Sequence, residues 1–231
     1  MKAGIIAAGE GSRLRSEGIT LHKPLVPVNG VPLIERLITS FIRGGITEIV
    51  CIVNEYSLVV KQFVEGKQFN IPITFIVKTT TSSMHSLFAL APHLQTRQFL
   101  LTTIDSIFSE DEFLKFLNHA ERNQTFDAIL AVTNFIDDEK PLYVEVDDRM
   151  CINSFSKSEQ TPWVTGGLYV FQPRIFNEMD AVVKQGIERL RNFLRYLLNK
   201  GYSLEAFPFS KIVDVDHLRD IQNAEEFLRA S

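Results

Sequence analysis

The 231-residue chain is poor in the residues that mark several protein classes. It has two cysteines and one tryptophan. Cys51 and Cys151 have neither a CxxC partner nor His-rich surroundings, so neither a disulfide framework nor a zinc site is indicated, and reduced, buried thiols suit a cytoplasmic protein. The first apolar run lasts about six residues before a glycine, too short for a signal peptide. No stretch approaches the ~20 apolar residues of a membrane helix, so no membrane partner is expected. An excess of positive charge is missing as well. Lys and Arg number 24 against 28 Asp and Glu, a formal net charge of −4, which argues against nucleic acid bound over a broad basic face. Anionic substrates must be held by local charge. With 45% hydrophobic residues, the chain can bury one good-sized core, and a single domain over 1–231 is expected.

The richest stretch is 2–28, KAGIIAAGEGSRLRSEGITLHKPLVPV. Residues 3–8 suffice for one buried strand, which breaks into Gly9-Glu10-Gly11-Ser12-Arg13. Glycines there let the backbone turn sharply and gather several N–H groups into one concavity suited to phosphates. Arg13 and Lys23 would close the cradle with positive charge. A dinucleotide fingerprint is excluded because Leu14 stands where its third small residue belongs, and a Walker loop because Gly-Lys-Ser/Thr is absent. The alternative is an ordinary strand-to-helix turn with solvated charges. It explains any one of these residues, but not all of them following the first strand in one order.

Ala7-Ala8-Gly9-x-Gly11-Ser12-Arg13-Leu14 followed by His22-Lys23-Pro24-Leu25-x-Pro27-Val28 resembles the head of the sugar-1-phosphate nucleotidyltransferases and their cytidylyl- and molybdopterin guanylyltransferase relatives. The resemblance implies an α/β fold, a Rossmann-like three-layer domain with a mixed, mainly parallel central sheet and a small antiparallel acceptor-binding part. About 1–135 would form the nucleotide-binding half and about 136–231 the acceptor half with the C-terminal helices. It places Ala7, Ala8, Gly9, Glu10, Gly11, Ser12, Arg13 and Lys23 around a nucleoside triphosphate. Arg13 would grip the β- and γ-oxygens and Lys23 the α-phosphate, the two catalytic residues.

Periodicity supports the alternation. Leu33, Ile34, Leu37, Ile38, Phe41 and Ile42 mark a helix closed by Gly44-Gly45. Strands are expected over 46–53, 71–77, 98–103 and 126–132, with helices over 56–66, 84–91 and 113–120 between them, as in parallel crossovers. Ser82 and Ser83 are base or ribose contacts in a serine-rich turn like that of phosphocholine cytidylyltransferases, or the cap of the following helix. Asp105 follows an apolar strand directly. The resemblance makes it a Mg²⁺ ligand, although Ile104 replaces the family's preceding glycine, and an Asx turn or cap is the alternative.

Residues 137–140 read as a solvated turn with no chemistry assigned. Beyond them 142–146 and 151–155 form a hairpin, and strands cease to alternate with helices, so antiparallel pieces over the crevice are expected. Lys157 would neutralise the acceptor phosphate, or is an exposed strand-end lysine. Trp163 through Phe171 resembles the family's Gly-x-Tyr-x-Phe strand under the acceptor, with Gly167 at a close approach and Trp163 stacking on it or packing in the core. Helices are expected over 174–184 and 188–200, then an edge strand over 203–207 interrupted by Pro208. The closing 211–216, KIVDVD, resembles the family's Asp-x-Asp ending. Asp214 would be the second metal carboxylate, and Asp216 a third or, preferably, a helix N-cap.

These residues imply attack of a phosphate-monoester oxygen on the α-phosphorus of a nucleoside triphosphate, with Mg²⁺ as cofactor and pyrophosphate as leaving group. The acceptor is a phosphorylated small molecule, foremost a sugar 1-phosphate. A cytidylyltransferase for phosphocholine or another phospho-alcohol is the alternative, and a non-catalytic nucleotide-binding protein the alternative of another class.

Overall fold

The computed structural model describes residues 1–136, 140–156 and 161–230. Strand β1 (Lys2–Ala7) lies at its centre because its residues are apolar toward both faces. Ala3, Ile5 and Ala7 join one core and Ile6 the other, the period-2 alternation of a strand covered on both sides. The chain then passes through the glycine loop into α1 (Ser12–Ser16), a ribbon of β2 (Pro27–Val28) and β3 (Val31–Pro32), and α2 (Leu33–Arg43). Next come β4 (Glu48–Val53), α3 (Leu58–Glu65) and β5 (Ile73–Val77), with β4 parallel to β1 and β5 parallel to β4.

Helix α4 (Ser83–Leu90) returns the chain across the sheet to β6 (Phe99–Thr103), which pairs with the opposite edge of β1. The strand order therefore reverses between β1 and β6. In open α/β sheets such a switch point opens a crevice at the carboxyl ends of the strands.

The second half comprises β7 (Ser106–Phe108), α5 (Glu110–Arg122), β8 (Ala128–Thr133), β9 (Tyr143–Val146), β10 (Ile152–Ser156) and β11 (Trp163–Phe171). It ends with α6 (Met179–Lys184), α7 (Leu190–Asn199), β12 (Leu204–Phe209), β13 (Ile212–Asp214) and α8 (Leu218–Ala230). Strand β11 runs antiparallel to β6, β8 and β9. The antiparallel pieces expected over the crevice are thus continuous with the nine-stranded central sheet.

Three expectations need correction. The strand expected to end before Pro208 continues to Phe209. Among the described residues it forms a ladder with β8 and a single bridge, Glu205 to Cys151, on its other side, and an edge strand can carry a proline on its open side. The helix expected over 174–184 is a 3₁₀ turn, Pro173–Glu178, followed by α6. Strands β7 and β13 were not visible in the sequence, because three-residue strands carry no measurable period. They pair antiparallel and set Ser106 opposite Asp214.

Helices α4, α6 and α7 pack one face of the sheet through Leu87, Val182, Phe193 and Leu194. Helices α2, α3 and α5 pack the other through Ile38, Val60 and Phe116, with Phe41 stacked on Phe113 at 5.6 Å. Each buried side chain of this size contributes about 1.5–3 kcal/mol. A third, smaller cluster joins Leu14 of α1, Val28, Ile107, Val213, Val215 and Ala224 of α8. It fastens the glycine loop to the C-terminal segment, positions nearly two hundred residues apart in sequence. No helix among the described residues is long and apolar enough to cross a membrane.

Candidate active site

The crevice between β1 and β6 holds two adjoining lobes. The first, of about 380 Å³, is lined by Ala8, Gly9, Gly11, Ser12, Arg13 and Lys23 from the N-terminal loop, by Thr80, Ser82, Ser83 and Ser86, and by Thr103 and Asp105. The second, of about 430 Å³, is lined by Leu142, Thr165, Gly167 and Tyr169, by Lys140, Arg189 and Arg191, and by Asp214. Arg13, Ser83, Thr103, Asp105 and Asp216 line both. These shared residues form the junction where contents of the two lobes would meet.

Backbone geometry builds the first lobe. Gly11 sits at φ +62°, and a Cβ there would lie 3.1 Å from Cβ of Lys23. Glycine is thus required by conformation and lets Lys23 reach inward beside the loop. The Asn54 side chain, beyond β4, donates to the Ala8 carbonyl at 3.2 Å, and Ser57 Oγ lies 3.1 Å from His22 Nδ1. Both sides of the loop are therefore anchored to the turn after β4.

A charged lattice spans the junction. Lys23 Nζ donates to Asp105 Oδ2 at 2.5 Å and to Asp216 Oδ1 at 2.7 Å, while Arg13 Nη1 donates to Asp216 Oδ2 at 2.5 Å. Burial alone would lower the Lys23 pKa, but Asp105 and Asp216 outweigh it and hold the ammonium charged. Burial likewise opposes ionisation of Asp105, but the adjacent Lys23 brings its carboxyl below the usual range. Asp214 behaves oppositely. Burial, and then the charge of Asp105, push its carboxyl up to about 7 against a bond from Ser106 Oγ at 3.0 Å.

Two carboxylates lining one lobe, Asp214 favoured in its protonated form by burial and by the charge of Asp105, are the oxygen donors that could hold a hard divalent cation. Among the described residues no group of three or more His, Cys, Asp or Glu forms a cation cage. Remaining ligands would come from phosphate oxygens and water, as suits magnesium. The donor set fits that ion.

The cap role preferred for Asp216 is taken by other residues. Asp220 Oδ2 accepts from the amides of Asp216 (2.9 Å) and His217 (2.6 Å), and Glu17 Oε2 accepts from the Leu218 amide (2.7 Å). With its backbone held by Asp220, the Asp216 carboxylate is released to bridge Arg13 and Lys23. The spacing suggested a cap, but tertiary charge pairing claimed the side chain.

Gly167 breaks the pairing of β11 with β8 at φ +77°, and a Cβ there would come within 2.4 Å of Ser106 Oγ and 3.0 Å of Thr103 Oγ1. Only glycine lets β11 pass over the floor of the second lobe. Tyr169 stands beside it. Burial and nearby Asp214 raise its phenol pKa, so it stays protonated and able to donate.

Residues 2–231 match the family model described as Nucleotidyl transferase. The chain belongs to that family. The UTP–glucose-1-phosphate uridylyltransferase AglF of Haloferax volcanii is 25% identical over 99% of this nucleotidyltransferase and 97% of its own length. The D-glycero-alpha-D-manno-heptose 1-phosphate guanylyltransferase of Campylobacter jejuni is 24% identical over 81% and 83%. Two further relatives are longer, and the chain spans 59% and 50% of them. Among solved structures, the inositol-1-phosphate CTP transferase from T. maritima superposes with a TM-score of 0.83 at 20% identity, covering 99% of this chain and 96% of that one. The similarity in fold agrees with the α/β, Rossmann-like architecture.

Of the residues that the sequence of this nucleotidyltransferase nominates, Ala8, Gly9, Gly11, Ser12, Arg13, Lys23, Ser82 and Ser83 line the first lobe. Ala7 is in the core and Glu10 is exposed, so neither side chain lines it. Ser82 also caps α4, accepting from the His85 amide. Trp163 pairs with Val144 at the start of β11 and packs on the first core, outside the lining of both lobes. Lys157, with Asp137, Asp138 and Glu139, lies outside the described residues. The sequence missed Lys140, Arg189 and Arg191, and gave Tyr169 only as part of the strand under the acceptor. The first sat in what reads as a solvated turn, and the two arginines at the start of an amphipathic helix read only for its apolar face.

Proposed function

We propose that this nucleotidyltransferase joins a nucleoside triphosphate to a sugar 1-phosphate or similar phosphorylated polyol, releasing pyrophosphate in a magnesium-dependent reaction. The observation that carries this reading is the pair of lobes meeting at Arg13, Ser83, Thr103, Asp105 and Asp216. Two separate polyanions can lie one in each lobe, with the phosphate oxygen of one beside the α-phosphorus of the other. No nucleophilic side chain is needed. Positioning and charge neutralisation supply the rate.

Arg13 can turn its fork of donors to the β- and γ-oxygens, favouring departure of pyrophosphate. Lys23 would exchange its carboxylate partners for an oxygen on the α-phosphorus, where negative charge builds. Asp105 and Asp214 would hold the magnesium ion, which supplies neutralisation of the triphosphate when bound. The acceptor lobe favours a polyhydroxyl compound over phosphocholine. It presents Lys140, Arg189 and Arg191 with Tyr169 as its aromatic. One phenol ring makes no cage for a quaternary ammonium, whereas these cations with Arg13 suit a phosphate, and Asp105, Asp214, Asp216 and the Tyr169 hydroxyl suit the hydroxyls of a polyol.

Pyrophosphate release with ATP, CTP, GTP, UTP and dTTP against glucose 1-phosphate, mannose 1-phosphate, inositol 1-phosphate and phosphocholine tests this. Release with a sugar or polyol phosphate, lost on chelation with EDTA, is expected. Turnover confined to phosphocholine would overturn the acceptor assignment, and turnover in EDTA the metal dependence.

A further inference from the structure

Arg189 has φ +68° and ψ 140°, a conformation that non-glycine residues rarely adopt, and it immediately precedes α7. No side chain of α7 itself caps that helix. Instead the Arg189 amide donates to Ser82 Oγ at 3.3 Å and the Leu190 amide to Ser83 Oγ at 3.0 Å. The strained start of α7 is thus capped from another helix, by two serines at the start of α4. The same serines line the first lobe, and Arg189 lines the second, with Ser83 in both.

We infer that Ser83, seconded by Ser82, is a positioning residue that couples occupancy of the triphosphate lobe to the setting of Arg189 against the acceptor. A hydroxyl carries one proton to donate and two lone pairs. When Ser83 accepts from the Leu190 amide, its own proton remains for an oxygen of a bound triphosphate. Donating to an anion makes the hydroxyl oxygen a stronger acceptor, since linked hydrogen bonds polarise one another. A filled first lobe therefore tightens the cap and holds Arg189 in its strained backbone, its guanidinium toward the second lobe. By linkage a bound acceptor raises triphosphate affinity by the same factor. Ser82 is already engaged by His85, through the ring Nδ1 at 2.9 Å, which leaves Ser83 as the more responsive of the two.

The inference rests on the transferase reading, and its test has an arm that does not. Amide hydrogen exchange at Leu190 is measured in the full chain with and without a non-hydrolysable nucleoside triphosphate and magnesium. Slower exchange on triphosphate binding, abolished in Ser83→Ala and restored in Ser83→Thr, is expected. Unchanged exchange in the bound wild type would overturn the coupling whether or not the protein transfers a nucleotide. In turnover, Ser83→Ala is expected to raise the acceptor KM about three- to tenfold with a smaller effect on kcat. In an Arg189→Gly background, where the conformation is unstrained and the guanidinium gone, Ser83→Ala should add nothing to the acceptor KM. An equal rise in both backgrounds, or a rise in the triphosphate KM alone, would refute the link through Arg189. Absence of pyrophosphate from the wild type with every substrate pair would refute the transferase reading instead, while the exchange arm still decides the coupling.

Discussion

The two lobes of the crevice are assembled in contrasting ways. Half of the triphosphate lobe comes from the continuous stretch 6–14 and Lys23 shortly after it, and its remaining wall from two strand ends and the turn into α4. Beyond the shared residues Arg13, Ser83, Thr103 and Asp105, the acceptor lobe is drawn from residues 140–142, 165–169, 189–191 and 214–216, four segments that only the tertiary fold brings together. A phosphate cradle is a backbone device and must be contiguous, so it leaves a motif. An acceptor pocket is a surface of side chains and leaves none. The difference suggests that the reaction is fixed by the first lobe, while substrate choice is written in the second.

Four perturbations would break or sharpen that contrast. The largest effect is expected for Lys23→Ala, which should lower kcat about 10²–10³-fold at saturation with both substrates. Stability should fall as well, because Asp105 and Asp216 lose the cation between them. Thermal unfolding should show a loss that shrinks on acidification as Asp105, no longer held ionised by Lys23, protonates. A variant with normal turnover would mean that the contiguous motif does not govern the chemistry.

Gly167→Ala comes next. Its side chain would meet Ser106 and Thr103 in a left-handed backbone, a cost of about 3 kcal/mol, and urea unfolding with unchanged stability would refute the close approach of β11.

The pH dependence separates the two carboxylates. Asp214 has its folded value raised to about 7 from an ordinary 3.8, so between about pH 4 and 7 the cation-free folded state keeps a proton that the unfolded chain releases. Its contribution therefore stabilises at low pH and is lost as pH rises, by up to about 1.4 kcal/mol per pH unit. Asp105 is displaced downward, so its contribution is present above the ordinary carboxyl range and lost only in stronger acid. Asp214→Asn should flatten the slope between pH 4 and 7, and saturating magnesium should flatten it in the wild type, since a bound cation favours the ionised carboxylate. A wild-type slope indifferent to magnesium would place the cation elsewhere.

The smallest effect is expected in the acceptor lobe. Arg191→Ala should raise the acceptor KM about tenfold, about 1.4 kcal/mol, and leave triphosphate affinity near the wild-type value by calorimetry. Arg191 also donates to the Lys140 carbonyl at 2.9 Å, so some of this loss would come through displacement of residue 140. Equal weakening of both substrates would contradict the division between the lobes.

What was legible follows the same division. Strands such as β4, EIVCIV, declare themselves through continuous apolar character, and α2 through its i, i+4 stripe ending at Gly44. Arg13 and Asp105 could be named because the chain meets the crevice soon after a strand at their positions, and Lys23 because Lys-Pro-x-x-Pro follows the glycine loop. Strand β7 and its partner β13 escaped notice, since three residues carry no period. Asp216 looked like a cap because its spacing permits one, and only the tertiary pairing with Lys23 and the amide bonds accepted by Asp220 show otherwise. Lys140 and Arg191 resemble any solvated charge until the fold places them in the lining of the same lobe as Asp214.

The most direct measurement is single-turnover transfer of an α-labelled nucleoside triphosphate to a sugar 1-phosphate, at saturating concentrations of both, by Asp105→Asn and by Arg191→Ala. Asp105→Asn should lose transfer by at least about 10²-fold, whereas Arg191→Ala should recover near wild-type rates once acceptor is in excess. Wild-type transfer by Asp105→Asn would show that the two substrates do not meet at this junction.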